Sequence, residues 1–579
     1  MEDDMKKKLI PGDSVDSEEI VVNNRITTQA EKEKKCLISI AERLIRTARV
    51  SPRSLMRNMN PLFPFSVTQV EREVLKIHRE RKDKAKKFLK GFDGKLTLSY
   101  DRVAYDDDYD EWDDSYSRDG HVLHNSFVCV SVHFVDHNWN AKKWILGYSP
   151  IEFDRVEKVE VYRFKHVILD YEIEDKVSTV LVPNWGGVLG RERLDGFRKW
   201  IDKKGRNPVD PCFFRIYCCS DLFRLMAGDL FDNMDLLLED IRLLVSWGKL
   251  TSTNWNVSLC NLQEALDMED KKVFEEDEYY QDFDQPSDEE WIMIRTFCKL
   301  AGCIYKVAKE LFEGGYSTAS VYFHLLAELK SMLNEELKNG DNEYFLDKAK
   351  EIVERFDKYW NDTFLVLATA SVLDPRFKMK FLEFYCSKKK DTDEGSKAET
   401  VLDYLRNLCA HYAASGIISP KTECRDATFD SLSYTSEEEE EEEESDSDEE
   451  EESDSDEEEQ RKDKEEKKHD AYEGFGLFQE FLKFEGASRE FDESELGSYL
   501  KEPVMEWNKD FKALEWWRVE SRKYPILSRV ARDVLSILIS RATSYEAYVA
   551  DQRECPEFVV TMKAKLVNAM MCSKQWSTL

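Results

Sequence analysis

Two runs of like charge are the first chemistry offered by this 579-residue chain. The run Arg79-Glu-Arg-Lys-Asp-Lys-Ala-Lys-Lys87 puts Arg79, Arg81, Lys82, Lys84, Lys86 and Lys87 within nine residues. Such a run can lie as a solvated helix face, act as a nuclear-import signal or contact phosphates. The opposite run, Glu437 to Glu459, holds 19 acidic residues among 23, the other four being Ser445, Ser447, Ser453 and Ser455. Removing those 19 charges from the formal −34 leaves −15 for the rest of the chain. Each serine has acidic residues directly after it, and phosphorylation would add about −1.5 to −2 charge apiece. The tract reads either as a solubilising linker or as a docking segment for a basic protein. An acidic chain is a poor generic ligand for nucleic acid, so DNA is a partner only through local basic patches.

Thiol chemistry is not organised for metal. The 13 cysteines are scattered, with Cys218 and Cys219 adjacent, Cys298 and Cys303 five apart, and no Cys-x-x-Cys. No cysteine pair is followed by a histidine pair at zinc-finger spacing. The expectation is reduced, mostly buried thiols and no metal. The start MEDDMKKKL lacks the apolar run of a signal peptide, and no stretch of 18 apolar residues suggests a membrane partner.

The elements that must position any site fall into six stretches. Residues 1–28 are charged and without periodicity, which predicts disorder. Residues 29–93 read as helical and basic. Within 94–250, Lys95 to Asp101, Ser126 to Asp136 and Lys143 to Tyr148 read as a three-stranded meander, with Val177 to Val182 and Phe213 to Tyr217 as further strands and a helix from Asp221 to Val245. Three consecutive strands followed by strands alternating with helices is the order of a ribonuclease-H-like α/β sheet. Residues 251–387 read as helices, including Phe345 to Trp360, and Asp374-Pro375 ends the last of them. The stretch 388–469 holds the acidic tract and is expected to stay extended. In 470–579, Phe511, Leu514, Trp516 and Trp517 precede Tyr524-Pro525, and Leu527, Val530, Ala531, Val534, Leu535 and Leu538 recur on one helical face. Pro525 suits the first turn of that helix.

Several of these strings occur together in one known family. The segments Leu-x-x-Tyr-Leu, Glu-Pro, Phe-x-x-Leu-x-Trp-Trp and Tyr-Pro-x-Leu-Ser-x-x-Ala-Arg-Asp-x-Leu, between Glu495 and Leu538, resemble the C-terminal dimerisation region of hAT-family transposases, in particular the domesticated plant sleeper-like ones. Asn60-Pro-Leu-Phe63, Thr318 to His324, Tyr359 to Met379 and Asn568 to Trp576 also resemble the family, in its order. The resemblance implies a ribonuclease-H-like mixed sheet interrupted by a helical insertion, a helical C-terminal dimerisation region in 470–579, self-association into a homodimer or higher oligomer, and a nuclear location. Phe511, Leu514, Trp516, Trp517, Tyr524, Leu527, Val530, Val534 and Leu535 are then expected to carry the dimer.

The resemblance also implies three carboxylates around two divalent cations, normally magnesium, one activating the attacking oxygen and the other stabilising the leaving oxygen. Asp101 matches the first. Pro183 stands where the second acid belongs, and proline offers no side-chain ligand. Tyr545 stands at the third, with Glu546 one position off, a rotation of about 100° on a helix. The family's Cys-x-x-His appears as Cys218-Cys-Ser-Asp221, its Thr-Arg-Trp-Asn as Thr253-Asn-Trp-Asn256, which favours Trp255 as a core aromatic, and its N-terminal BED zinc finger is absent. The expectation is therefore no cofactor and a catalytically degenerate factor associated with DNA or transcriptional regulation. A protein-interaction module without DNA binding is the alternative, and an active transposase the third reading.

Overall fold

A computed structural model describes residues 16–48, 51–57, 65–104, 126–150, 159–183, 191–204, 211–231, 255–276, 285–313, 318–340, 342–388, 394–414, 475–486, 490–541, 553–554 and 562–576, with Met234, Leu237, Ile241 and Tyr280 between them. The acidic run 437–459, Tyr545 and Glu546 lie outside the described residues.

Helix α1 (Asp16–Thr47) begins inside the stretch expected to be disordered. Its Ile40, Ala41, Leu44 and Ile45 form a buried i, i+1, i+4, i+5 stripe, and that stripe gives the preceding turns a formed helix to extend. It packs on α2 (Val67–Gly91), opened by a capping box in which Ser66 and Gln69 bond reciprocally.

The sheet follows. Strands β1 (Leu96–Ala104), β2 (Ser126–Val135) and β3 (Ala141–Pro150) form the expected antiparallel meander. After α3 (Val159–Tyr171), β4 (Val177–Val182) pairs parallel to β1. After α4 (Arg191–Lys204), β5 (Arg215–Tyr217) pairs parallel to β4, and α5 (Cys219–Phe231) leaves it. The order is β3-β2-β1-β4-β5. Phe213 and Phe214, expected in the fifth strand, belong to a short helical turn instead. Along β1, Leu96, Leu98 and Tyr100 are buried on one side and Thr97 and Ser99 on the other, so both faces are covered. On the hydroxyl side Ser99 Oγ meets His133 Nε2 at 2.8 Å.

Helices then take over: α6 (Trp255–Asp270), α7 (Asp288–Glu313), α8 (Ser320–Asn339), α9 (Glu343–Val372), α10 (Lys378–Ser387) and α11 (Glu394–Ala414). Helix α9 runs unbroken through Trp360 and Phe364, and Asp374-Pro375 follows its end as expected. Helix α11 corrects the extended reading of 388–469. Ala398, Val401, Leu402 and Leu405 fall at i, i+3, i+4, i+7 and are buried, enough apolar surface to hold a helix beside a charged tract.

The C-terminal stretch adds α12 (Gly476–Lys483), α13 (Glu495–Lys501), α14 (Ala513–Glu520) and α15 (Pro525–Leu535), then β6 (Arg553–Glu554) and α16 (Ala564–Gln575). Pro525 does sit in the first turn of α15, and the Glu495 carboxylate accepts the amides of Ile526 and Leu527 at 2.8 Å each, satisfying donors that a helix start leaves open. Two returns close the sheet. Strand β6 pairs parallel with Val103 and Ala104 of β1. Helix α16 lies along the edge strand β3, where Gln575 Oε1 and Asn568 Oδ1 accept the amides of Ile145 (3.1 Å) and Tyr148 (2.8 Å). The ribonuclease-H-like sheet is thus built from residues 96–217 and finished by residues after 550.

Candidate functional site

The parallel strands β1, β4 and β5 all end on one side of the sheet, and the segment after α15 crosses there. The Cys219 amide donates to Ile539 O at 2.9 Å and the Cys218 amide to Val182 O at 2.9 Å. This crossing delivers Arg541 to the strand ends. Its Nη1 lies 3.3 Å from Asp101 Oδ1, and its Nη2 is 2.7 Å from both Oδ1 and Oδ2 of Asp221. Nη1 also reaches Tyr100 O at 3.4 Å, and the Arg541 amide donates to Cys218 Sγ at 3.3 Å. Asp101 and Asp221 have buried side chains, and that of Arg541 is 11% exposed. Asp221 stands in the first turn of α5, where the helix dipole favours a negative charge.

These contacts decide what the site can hold. Asp101, the carboxylate expected as a metal ligand, faces a guanidinium. Pro183 directly follows β4 and brings no ligand. Among the described residues no group of three or more His, Cys, Asp or Glu side chains converges as a metal site. The described donors therefore do not fit a two-cation centre. Trp255 is buried, edge-on to Tyr305 with ring centroids 6.1 Å apart, a core aromatic as its neighbours suggested.

The expected dimer residues are spent inside one chain. Leu514, Trp517, Tyr524, Leu527, Val530, Val534 and Leu535 are buried and Phe511 and Trp516 half-buried, all in the core shared with α8–α11. The seven buried side chains are therefore covered by their own chain in this structure, and Phe511 and Trp516 keep part of their surface open. On the outside of the same region, Val519 and Met505 are exposed.

What these residues grip is the turn after α9, which the sequence showed as a helix stop within a segment resembling the family. Trp517 Nε1 donates to Leu373 O at 2.8 Å, Tyr499 OH to Val372 O at 3.1 Å, and the Met505 amide to Pro375 O at 2.9 Å. Asp374 and Arg376 form a two-pronged pair at 3.0 and 2.8 Å, and Arg376 Nη1 donates to Asn508 O at 3.0 Å. The guanidinium lies 4.8 and 4.9 Å from the ring centres of Trp507 and Phe511. Lys378, at φ +47°, buries its ammonium against Tyr499 O (2.6 Å) and Glu502 O (3.0 Å). Burial lowers its pKa to about 8, opposed by the Glu502 carboxylate.

The basic run on α2 is partly spent as well. Arg81 bonds Glu42 (2.5 Å) and Ser573 O (2.9 Å), Lys82 pairs with Asp170 (2.6 Å), and Lys86 with Glu172 (2.9 Å). Arg79, Lys84 and Lys87 are exposed. The run is therefore a structural seam on one side and a solvated face on the other. No helix among the described residues is long and apolar enough to cross a membrane.

Comparison with known proteins agrees with this division of parts. Residues 495–577 match the hAT family C-terminal dimerisation region, and residues 320–412 match the hAT-like transposase, RNase-H fold model. The second match falls on α8–α11, not on the sheet. The chain is 23% identical over 554 residues to the putative AC transposase of Zea mays, covering 90% of this chain and 62% of that one. It is 24% identical to the zinc finger BED domain-containing protein RICESLEEPER 3 of Oryza sativa subsp. japonica, covering 78% and 59%, and 23% identical to DAYSLEEPER of Arabidopsis thaliana, covering 90% and 70%. The chain spans about 60% of the length of the first two. It carries an hAT-like ribonuclease-H-fold segment and an hAT dimerisation region, and is similar over most of its length to plant hAT transposases and sleeper-type BED zinc finger proteins.

Proposed function

We propose that this chain is a transposase-derived, self-associating nuclear factor that does not cut DNA and acts in transcriptional regulation. One observation carries the reading: the Asp101 carboxylate is held by Arg541 at 3.3 Å, where strand cleavage would need it on a metal. Pro183 at the end of β4 supports it. Self-association is supported by the match of 495–577 to a dimerisation region, with contacts between copies coming from outer residues such as Val519 and Met505 rather than from the buried stripe. Purified full-length chain incubated with labelled DNA and Mg²⁺ or Mn²⁺ is expected to leave the strands intact. Cleavage that disappears in Asp101→Ala would overturn the reading. Sedimentation is expected to show a dimer or larger assembly.

A second reading, a protein-interaction module without DNA contact, is favoured by the internal pairing of Arg81, Lys82 and Lys86. Salt dependence separates the two. A DNA-associated factor loses affinity steeply as salt rises, and no binding at low salt would leave the interaction module. On either reading the acidic run 437–459 is offered to a basic protein, and its loss is expected to abolish that capture at low salt.

A further inference from the structure

Helix α3 carries an exposed stripe. Tyr162 is 63% and Leu169 46% exposed, and His166 between them is exposed as well. These positions, i, i+4 and i+7, fall on one side of the helix along about 10 Å of its axis. The Tyr162 and His166 rings lie 6.5 Å apart. Inward, Phe164 of α3 stacks on Phe197 of α4 at 5.6 Å between ring centres, both buried, which fixes the two helices to one another. At their seam the Lys165 ammonium lies 5.3 Å from the ring centre of half-buried Trp200. Beside Trp200 on α4, Lys199, Lys203 and Lys204 are exposed, the first two one turn apart. Of the described carboxylates on these helices, Asp170 pairs with Lys82 at 2.6 Å and Asp202 with Arg198 at 3.4 Å. Asp195 lies about 140° round α4 from Trp200. The joined surface is thus largely apolar along α3 and basic along α4, in a chain whose formal charge is −34.

We propose that these joined faces of α3 and α4 dock an acidic amphipathic helix of another protein. Its apolar side covers Tyr162, His166 and Leu169, and its carboxylates meet Lys165, Lys199 and Lys203. Nucleic acid fits less well: four lysines in an acidic chain attract phosphates weakly, and a phosphate backbone leaves Leu169 uncovered. The chain's own run 437–459 brings carboxylates but only serines beside them, so it has no apolar side to offer. The surface uses none of the residues at the strand ends, so it stands whether or not the chain cuts or binds DNA.

The test is fluorescence anisotropy of the full-length chain with a labelled synthetic helical peptide about five turns long, with Leu and Trp on one face and Glu on the other. Saturable binding is expected, and a scrambled peptide of the same composition should bind far less. Leu169→Glu and Tyr162→Glu should each weaken binding by about tenfold or more. Lys199→Glu with Lys203→Glu should weaken it about fivefold and reduce its salt dependence. Denaturation midpoints check that the variants fold; should Leu169→Glu fail to, the more exposed Tyr162→Glu carries the test. A benzophenone amino acid placed at position 162 should cross-link to the peptide. Equal binding of the scrambled peptide, or unchanged binding by a folded Tyr162→Glu chain, overturns the proposal. So does displacement of the peptide by duplex DNA whose own binding the same substitutions weaken, which gives the face to nucleic acid. Cross-links from position 162 to the same chain or to a second copy that persist in excess peptide overturn it as well.

Discussion

Arg376 and Arg541 are both buried against aspartates, yet they do different work. Asp374 is two residues from Arg376, and their side chains are 0% and 2% exposed. Asp221 is 320 residues from Arg541, and theirs are 8% and 11% exposed. The first pair is a local turn made rigid, which then presents the carbonyls of Leu373 and Pro375 to the C-terminal region. The second pair is a clamp between parts of the chain that nothing local brings together. The same chemistry therefore serves docking in one place and decides the character of the sheet end in the other.

Arg376→Met should be the most damaging change. It strands a fully buried carboxylate and empties the space between Trp507 and Phe511, costing about 3–5 kcal/mol by chemical denaturation. Arg541→Met should cost less, about 3 kcal/mol, because solvent reaches its partners more easily. An equal or larger loss at Arg541 would break the ranking. Trp517→Phe tests the docking partner. It leaves the Leu373 carbonyl without the indole donor and should cost about 1–3 kcal/mol.

Acid probes a different pair of side chains. Burial lowers the pKa of His133 to about 3, with Lys143 adding to it, and that of His78 to about 4, where Lys82 adds and Asp170 opposes. The unfolded chain binds these protons near pH 6.5, so the stabilisation is full above that pH. It is lost as pH falls through 6.5 toward 4 for His78 and 3 for His133. The slope is about 1.4 kcal/mol per pH unit for each. His133→Asn should flatten the loss; an unchanged acid profile would show that other groups carry it. Smallest of all, Lys84→Glu with Lys87→Glu should change stability by at most about 0.5 kcal/mol, while weakening any DNA binding.

The strands were legible because Leu96-Thr-Leu-Ser-Tyr100 and its partners alternate, and a two-residue period survives whatever packs on either face. Pro525 announced α15 for a local reason too. Helix α11 was not read because its apolar stripe adjoins a long charged run whose composition dominated the stretch. Strand β6 has two residues, too few to carry a period. Asp101 was legible on its strand, but its partner was not. No spacing rule joins Arg541 to residues 101 and 221, so the chemistry of the site was hidden until the chain was folded. The stripe from Leu527 to Leu535 was legible as one apolar helical face, but periodicity shows that a face is covered and not by whom.

The two amide side chains of α16 that cap β3 also set a timetable. Gln575 and Ile145 are 430 residues apart. At about 5–20 residues per second of synthesis, the edge strand waits roughly 20–90 s for its cover. Over that interval its open amides are available to any extended peptide nearby. Newly made chain should therefore depend on chaperones that shield strand edges, and a chain interrupted anywhere in the acidic run would carry that need permanently.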